Sequence, residues 1–278
     1  MKKFKNIAAV AAALATAVTL SGCAASDIND AENEIKDENF GVEIPDEGNA
    51  PADTPDDKPI EIEVPKVLTV SYVNVLSDGV NIRSGAGTGY SVRGAAEKST
   101  MYALNGSSDG WYKTGYKNKS AYISSKYCEV VEMTASGDER IEAIINEGTK
   151  LLGTAYVYGA VRYHDGSGKK LSGFDINAFD CSSLMQYIFY TGAHINLQVN
   201  TRTQIYQGTT VKKSQLKRGD LMFFTNASRK HLTGVERVGH VALYLGDNWI
   251  LHTANDYAKI EQISATRWSY FIQGQRIL

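Results

Sequence analysis

The sequence predicts an α+β protein in which a small all-β unit precedes a unit of helices and strands. Three observations predict it. Residues 67 to about 133 carry β-branched runs punctuated by turn signals. Two later stretches, opening near residues 139 and 181, repeat apolar residues at helical spacing. Beyond them, residues 237–254 read as a strand, a turn and a second strand. With 278 residues and 43% apolar content, the chain can bury a real core in one or two domains.

Two segments precede these units. Met1 to Lys5 is basic, and Ile7 to Leu20 is an apolar run of fourteen residues. That run is too short to span a bilayer comfortably and leads into small residues, as a secretory signal does. Leu20-Ser21-Gly22-Cys23 resembles the lipobox of bacterial lipoproteins. The resemblance implies a signal peptide over 1–22 and a lipid on Cys23 that holds the mature protein to a membrane. The expected location is the outer face of the cytoplasmic membrane, or the periplasm or outer membrane in a host with two membranes. Residues 23–65 read as a tether. All five prolines lie between 45 and 65, and Asp27 to Glu63 holds fourteen Asp and Glu against two Lys, a net of −12. Such composition buries too little apolar surface to offset its ordering entropy, and as a flexible chain it spans roughly 35 Å. Residues 64–278 then carry +7, a charge suited to work on an anionic polymer such as cell wall.

The β-rich unit begins with Val67-Leu-Thr-Val-Ser-Tyr-Val-Asn-Val75, with turns at Ser77-Asp78-Gly79, Asn105-Gly106 and Ser108-Asp109-Gly110. The run Val80-Asn81-Ile82-Arg83-Ser84-Gly85, with Gly87, Thr88 and Tyr90, resembles the bacterial SH3-like family, as do Asp109-Gly110-Trp111-Tyr112-Lys113 and Ser120-Ala-Tyr-Ile123. This implies a small barrel over 66–133 that binds cell-wall peptides or glycans, or packs on its neighbour. Trp111, Tyr112 and Tyr122 are equally placed to be barrel core. Cys128 reads as a small hydrophobe on a strand. Next, Ser136 and Glu139 have the spacing of a capping box, and Ile141, Ile144, Ile145, Leu151 and Leu152 form an apolar stripe. The polar, glycine-bearing stretch to Gly173 reads as loop.

Chemistry concentrates further on. Phe179-Asp180-Cys181-Ser182-Ser183 leads into Leu184, Met185, Ile188 and Phe189, spaced as a buried helix face that Gly192 can end. Cys181 therefore falls in a first helical turn, where free N–H groups favour a thiolate and could hold an oxyanion. A thiolate needs a base, and the base needs a third group to fix its tautomer. His240, in Gly239-His240-Val-Ala-Leu-Tyr-Leu-Gly246, and His252, in Trp249-Ile-Leu-His252-Thr-Ala, supply one residue for each role. A three-residue loop Gly246-Asp247-Asn248 sets Ala242 opposite His252 and puts both histidines on one face. A two-residue loop pairs Leu243 with His252 and separates them. His164, His194 and His231 read as surface or loop residues. There is no Cys-x-x-Cys, no histidine pair at helical spacing and no phosphate-cradling glycine motif, so neither metal nor cofactor is expected, and no nucleic-acid partner.

Residues 138–278 resemble the NlpC-type family of bacterial cell-wall endopeptidases. The matching pieces are Gly153-Thr-Ala-Tyr156-Val-Tyr158-Gly159, Phe179-Asp-Cys181-Ser-Ser-Leu, Leu216-Lys-Arg-Gly219-Asp220, and the two histidine segments, all in family order. The resemblance implies a papain-like α+β fold and a cysteine peptidase that cuts peptidoglycan stem peptides, typically between D-γ-Glu and the diamino acid. It implies Cys181 as nucleophile, His240 as base, His252 as orienting group, Tyr156 near the oxyanion, and Asp180 and Ser182 at the substrate. Asp220 reads as structural. The chain departs from the usual pattern at Ser183 (commonly Gly), Arg218 (commonly Pro) and Tyr158 (commonly Trp), and in the long segment 160–176. Two rival readings are a non-catalytic wall-binding lipoprotein and an amidase or acyltransferase on the same architecture.

Overall fold

The structure, a computed structural model, describes residues 67–278, so the signal, Cys23 and the acidic tether lie outside the described residues. Eight strands come first: β1 (Thr69–Val75), β2 (Val80–Arg83), β3 (Val92–Ala96), β4 (Met101–Ala103), β5 (Ser107–Ser108), β6 (Trp111–Tyr116), β7 (Lys119–Ser124) and β8 (Cys128–Thr134). They form a sheet ordered β4-β1-β8 and another ordered β3-β2-β7-β6-β5. Tyr72, Val73, Val75, Ile82, Met101 and Ile123 are buried on these strands; Tyr72 and Val73, being successive, face opposite sides of β1, and Tyr72 reaches Arg218 with its hydroxyl. Trp111, Tyr112 and Tyr122 are only half-buried. Cys128 packs against the core, and burial pushes its thiol up to about 11, so it behaves as a hydrophobe.

Helix α1 (Glu139–Lys150) buries Ile144 and Ile145, with Leu151 and Leu152 just beyond its end. Its cap is Asp138, whose carboxylate accepts the Arg140 N–H; the box expected from Ser136 does not form. The Ser136 hydroxyl instead accepts the Asp138 N–H, and the Ser136 N–H goes to Glu142. Strands β9 (Ala155–Tyr156) and β10 (Ala178–Phe179) flank the long loop, and α2 (Cys181–Ala193) follows. Leu184, Met185, Ile188 and Phe189 are all buried, each contributing about 2 kcal/mol. Gly192 does not end the helix. A side chain there would meet the backbone of Ile144 at 2.6 Å, so glycine is what lets α1 and α2 cross closely. The helix ends instead at His194, in the left-handed region at φ 54°.

After a single turn, α3 (Thr201–Gln204), come β11 (Thr209–Val211), β12 (Leu221–Phe224), β13 (His240–Gly246), β14 (Trp249–Ala254), β15 (Tyr257–Gln262), α4 (Ala265–Ser269) and β16 (Phe271–Arg276). They join β9 and β10 in a sheet ordered β10-β9-β15-β14-β13-β12-β16-β11. The fold is thus mixed α and β, with α1 and α2 packed on Val241, Leu243 and Leu251, and Met222, Phe224, Ala242 and Ile250 packed with Ile263 and Trp268 in a second core. Asp220 is a turn-former: it accepts the Lys217 N–H and binds Arg276 through both oxygens.

The N-terminal strands and the rest lie in one compact unit. Arg218 explains its departure from proline. Its guanidinium binds both oxygens of Glu142 on α1, the Tyr72 hydroxyl on β1 and the Leu245 carbonyl on β13, each at 2.8 Å. Proline supplies none of these donors. Breaking such a buried pair from one side strands its partner, so Arg218→Ala should lower the unfolding free energy by on the order of 3 kcal/mol. Urea denaturation reads this directly, and a loss below about 1 kcal/mol, typical of an exposed pair, would refute it. A second seam joins the turn before β4 to β15, where Thr100 bridges Glu261 and Lys259 meets Glu97 at 3.2 Å.

Candidate functional site

Cys181 is the first residue of α2, and Asp180 is the cap. The Asp180 carboxylate accepts the Ser183 N–H at 2.8 Å, while the Ser183 hydroxyl accepts the Asp180 N–H at 2.9 Å. This closed capping box is worth about 1 kcal/mol and accounts for serine at a position where glycine is commoner. The Val241 and Ser182 N–H groups point at the sulfur and favour its anion. Burial, the largest influence, outweighs them and pushes the thiol up to about 12. The lowering expected from the helix N-terminus is therefore reversed, because desolvation of a buried thiolate costs more than the helix end returns.

The two histidines meet. His240 Nε2 lies 3.0 Å from His252 Nδ1. Leu243 pairs with Leu251, which sets Ala242 opposite His252, the register that the three-residue loop required. The loop itself differs: Asp247 and Asn248 form a two-residue turn with φ 47° and 67°, and a bulge between Tyr244 and Gly246 restores the parity. A fourth member lies beyond. His252 Nε2 is 3.0 Å from Glu261 Oε1, and Arg267 holds the same oxygen at 2.9 Å.

This order fixes every proton. Burial works to raise Glu261, but the hydrogen bond from His252 and the charges of Arg267 and Lys259 bring it down to about 2. An ionised carboxylate only accepts, so His252 carries its proton on Nε2. Burial holds His252 below its ordinary value, so the ring is neutral and its Nδ1 accepts from His240 Nε2–H. His240 is held well below 6.5 by burial, by the repulsion that a protonated His252 would add, and by the Arg267 charge. It too is neutral, and its Nδ1 lone pair is left to take a proton.

Tyr156 is half-buried on β9, near enough to Cys181 and Asp180 for their charges to add to the burial that raises its phenol. Asp180 and Ser182 flank the sulfur, but their polar atoms face inward. Arg162, from the long loop, binds Asp180 Oδ2 at 2.8 Å and the Ser182 hydroxyl at 3.3 Å. The same loop seats Tyr163 and Phe174 against Tyr187 on α2. His164, expected at the surface, is wholly buried there between Tyr163 and Tyr190. Beside His240 opens a cleft of ≈ 310 Å³, lined among others by Tyr156, Thr225, Asn226, Asn255 and Arg267.

Residues 153–276 match the model of the NlpC/P60 family, a span that contains Cys181, His240, His252 and Glu261. These residues form an NlpC/P60 family domain. The chain is 35% identical over 119 residues to a Bacillus subtilis protein named gamma-DL-glutamyl hydrolase, covering 43% of this chain and 25% of that protein. It is 27% identical over 144 residues to peptidoglycan DL-endopeptidase CwlO of Bacillus licheniformis, covering 51% of this chain and 29% of that one. The chain therefore spans under a third of either relative. A crystal structure of an NlpC/P60 family protein from Bacillus cereus covers 75% of this chain and 64% of its own, at 21% identity and a TM-score of 0.40. Within the NlpC/P60 domain, the sequence reading missed Glu261 and Arg267. Glu261 was within reach: a two-residue turn at Asn255-Asp256 pairs His252 with Lys259 and leaves Glu261 diagonal on the same face.

Proposed function

We propose that this chain is a peptidoglycan hydrolase that cuts stem peptides at the D-γ-glutamyl–diamino acid bond through Cys181. The observation that carries the reading is the hydrogen-bonded line His240–His252–Glu261, which starts beside Val241, whose N–H points at the Cys181 sulfur. In the first step, the Cys181 thiol passes its proton to His240 Nδ1 as the sulfur attacks the carbonyl carbon. The positive charge then forming on His240 is stabilised along the line by Glu261. The Ser182 N–H and its neighbours at the start of α2 stabilise the oxyanion, with Tyr156 beside them. Collapse breaks the carbon–nitrogen bond, the leaving amine takes the proton from His240, and a thioester remains. Water then attacks the thioester, giving its proton to His240 and releasing the glutamyl carboxylate, and the thiol is re-formed.

The same proposal assigns residues 66–133 to an SH3-like, wall-contacting domain and 138–278 to a papain-like catalytic domain. Cys23 is the lipid anchor, and residues 23–65 are the tether that lets the enzyme work outside the cytoplasmic membrane. Asp180 and Ser182 act by building the helix start rather than by direct substrate contact, since Arg162 already occupies them. Purified muropeptides incubated with residues 64–278 test the reading by mass spectrometry. Release of a fragment beginning with the diamino acid is expected; a shift of an acyl group, or cutting at another bond, would overturn it.

The pH dependence follows from the two neutral partners. His240 must be neutral to receive the thiol proton, and burial moves its protonation well below 6.5. Activity is therefore present above the ordinary imidazole value and lost only as pH falls through the lowered one. The thiol near 12 adds no loss on the alkaline side of neutrality. A pH profile of kcat/KM should place the acid midpoint below 6.5, and a midpoint above it would contradict the burial argument.

A further inference from the structure

We propose that Arg162, from the long loop 160–176, is a positioning residue for Cys181: its guanidinium balances the Asp180 charge beside the sulfur and holds the first turn of α2 against two facing segments. The inference rests on the hydrolase reading above and adds a residue that acts through the nucleophile rather than on the substrate. Capping α2 with Asp180 places a carboxylate next to the nucleophile in the chain. A negative charge there opposes both a thiolate and the oxyanion that follows it. An offsetting cation is needed, and Phe179-Asp180-Cys181-Ser182-Ser183 supplies none.

Arg162 meets that need from elsewhere in the chain. Its Nη1 lies 2.8 Å from Asp180 Oδ2, and its Nη2 3.3 Å from the Ser182 hydroxyl, which itself donates to Asp180 Oδ1. The Nε–H donates to the Val199 carbonyl, and Nη1 to that of Ala160. One planar group thus joins the loop, the segment before α3 and the nucleophile turn. The two side chains are only 18% and 7% exposed, so salt and water screen the pair little. Burial does most to raise the Cys181 thiol, and the Asp180 charge adds to it. Arg162 acts against both, as do the Val241 and Ser182 N–H groups. The other ionisable groups near the sulfur are Tyr156 on β9 and His240, the chain neighbour of Val241 on β13.

The loop is built to hold this guanidinium still. Tyr163, the next residue, packs its ring on Phe174 and on Tyr187 and Tyr190 of α2. Beyond it the chain doubles back, with His164 bridged to Lys170 and the Leu171 N–H donating to the Tyr163 carbonyl. The Asp165 carboxylate closes the turn by accepting the Ser167 and Lys169 N–H groups. Asn196, close to Val199 in the chain, donates to the Ser167 carbonyl. The charge is therefore in place before substrate arrives, and the reaction need not reorganise it.

The test is the rate at which iodoacetamide alkylates Cys181 in the purified chain at a fixed, mildly alkaline pH, read by mass spectrometry of the peptide that carries it. Well below the thiol's midpoint this rate follows the thiolate fraction, moderated by nucleophilicity. Arg162→Gln should slow it by about three- to thirtyfold, the range that one close charge produces after that moderation. Asp180→Asn keeps a capping oxygen but drops the charge, and should speed it by a similar factor. The double variant should return to within about twofold of the wild type. A guanidinium that only supports the fold predicts no such reversal of sign. No slowing in Arg162→Gln, no acceleration in Asp180→Asn, or a double variant no faster than Arg162→Gln overturns the proposal. With muropeptide as substrate, the loss in Arg162→Gln should fall on kcat. A rise in KM alone would make Arg162 a substrate contact and overturn its positioning role. Alkylation needs no substrate, so a wild type that cuts no muropeptide sinks the hydrolase reading while the alkylation ranking still decides this one. Should Arg162→Gln fail to fold, Asp180→Asn decides alone.

Discussion

Replacing Cys181 by alanine should abolish muropeptide cleavage, with a loss of at least about 10⁴ in kcat, the scale seen when a covalent nucleophile is removed. No other group can take its part. Among the described residues the second thiol, Cys128, lies on β8 and is held up to about 11 by burial. The substitution removes one sulfur atom from the start of α2 and leaves the capping box of Asp180 and Ser183 intact. Thermal unfolding should therefore move little, since the cavity left is smaller than in a Leu→Ala change. Turnover that survives in the variant sinks the nucleophile assignment. Loss of both turnover and folding would instead show that the sulfur is structural.

The second large effect comes from the imidazole line and has a definite rank order. His240→Ala removes the acceptor of the thiol proton and should cost about 10³-fold or more, within the range attributed to general acid–base catalysis and geometry. His252→Ala leaves that acceptor but frees its tautomer, and should cost less, about 10²-fold. Glu261→Ala should follow, because Arg267 is left unbalanced beside His252. That charge already disfavours protonation of both histidines, so without Glu261 the acid limb of the pH profile should move to lower pH. A merely structural glutamate would leave the limb where it is. A smaller loss for His240→Ala than for His252→Ala would reverse the roles of base and orienting group.

Much of this was legible because it is local. The α2 face is written in the spacing of Leu184, Met185, Ile188 and Phe189, and helical periodicity needs no knowledge of the partner. The pairing of His240 with His252 could be put as a question of loop parity, since strand alternation has a period of two. What escaped depends on distant chain. Ser136 and Asp138 both suit a cap, and Glu142 decides between them by drawing the Ser136 N–H. His164 is buried against the Tyr190 ring of α2, more than twenty residues away. Arg218 acquires its purpose only when β1 arrives with Tyr72. The thiol's pKa went astray for the same reason: a helix end is visible in sequence, but the depth of burial is not.

The bulge at Leu245 has a wider implication for how this hairpin can change over time. Loss of Leu245 alone would cost its buried side chain but would join the pair Tyr244–Ile250 directly to Gly246–Trp249 and leave Ala242 opposite His252. The hairpin can therefore give up one residue and keep both histidines on one face, the base still beside its support. Length at this turn is therefore free to shrink by the bulged residue, whereas one residue added to either strand with no second bulge would carry His252 to the other face.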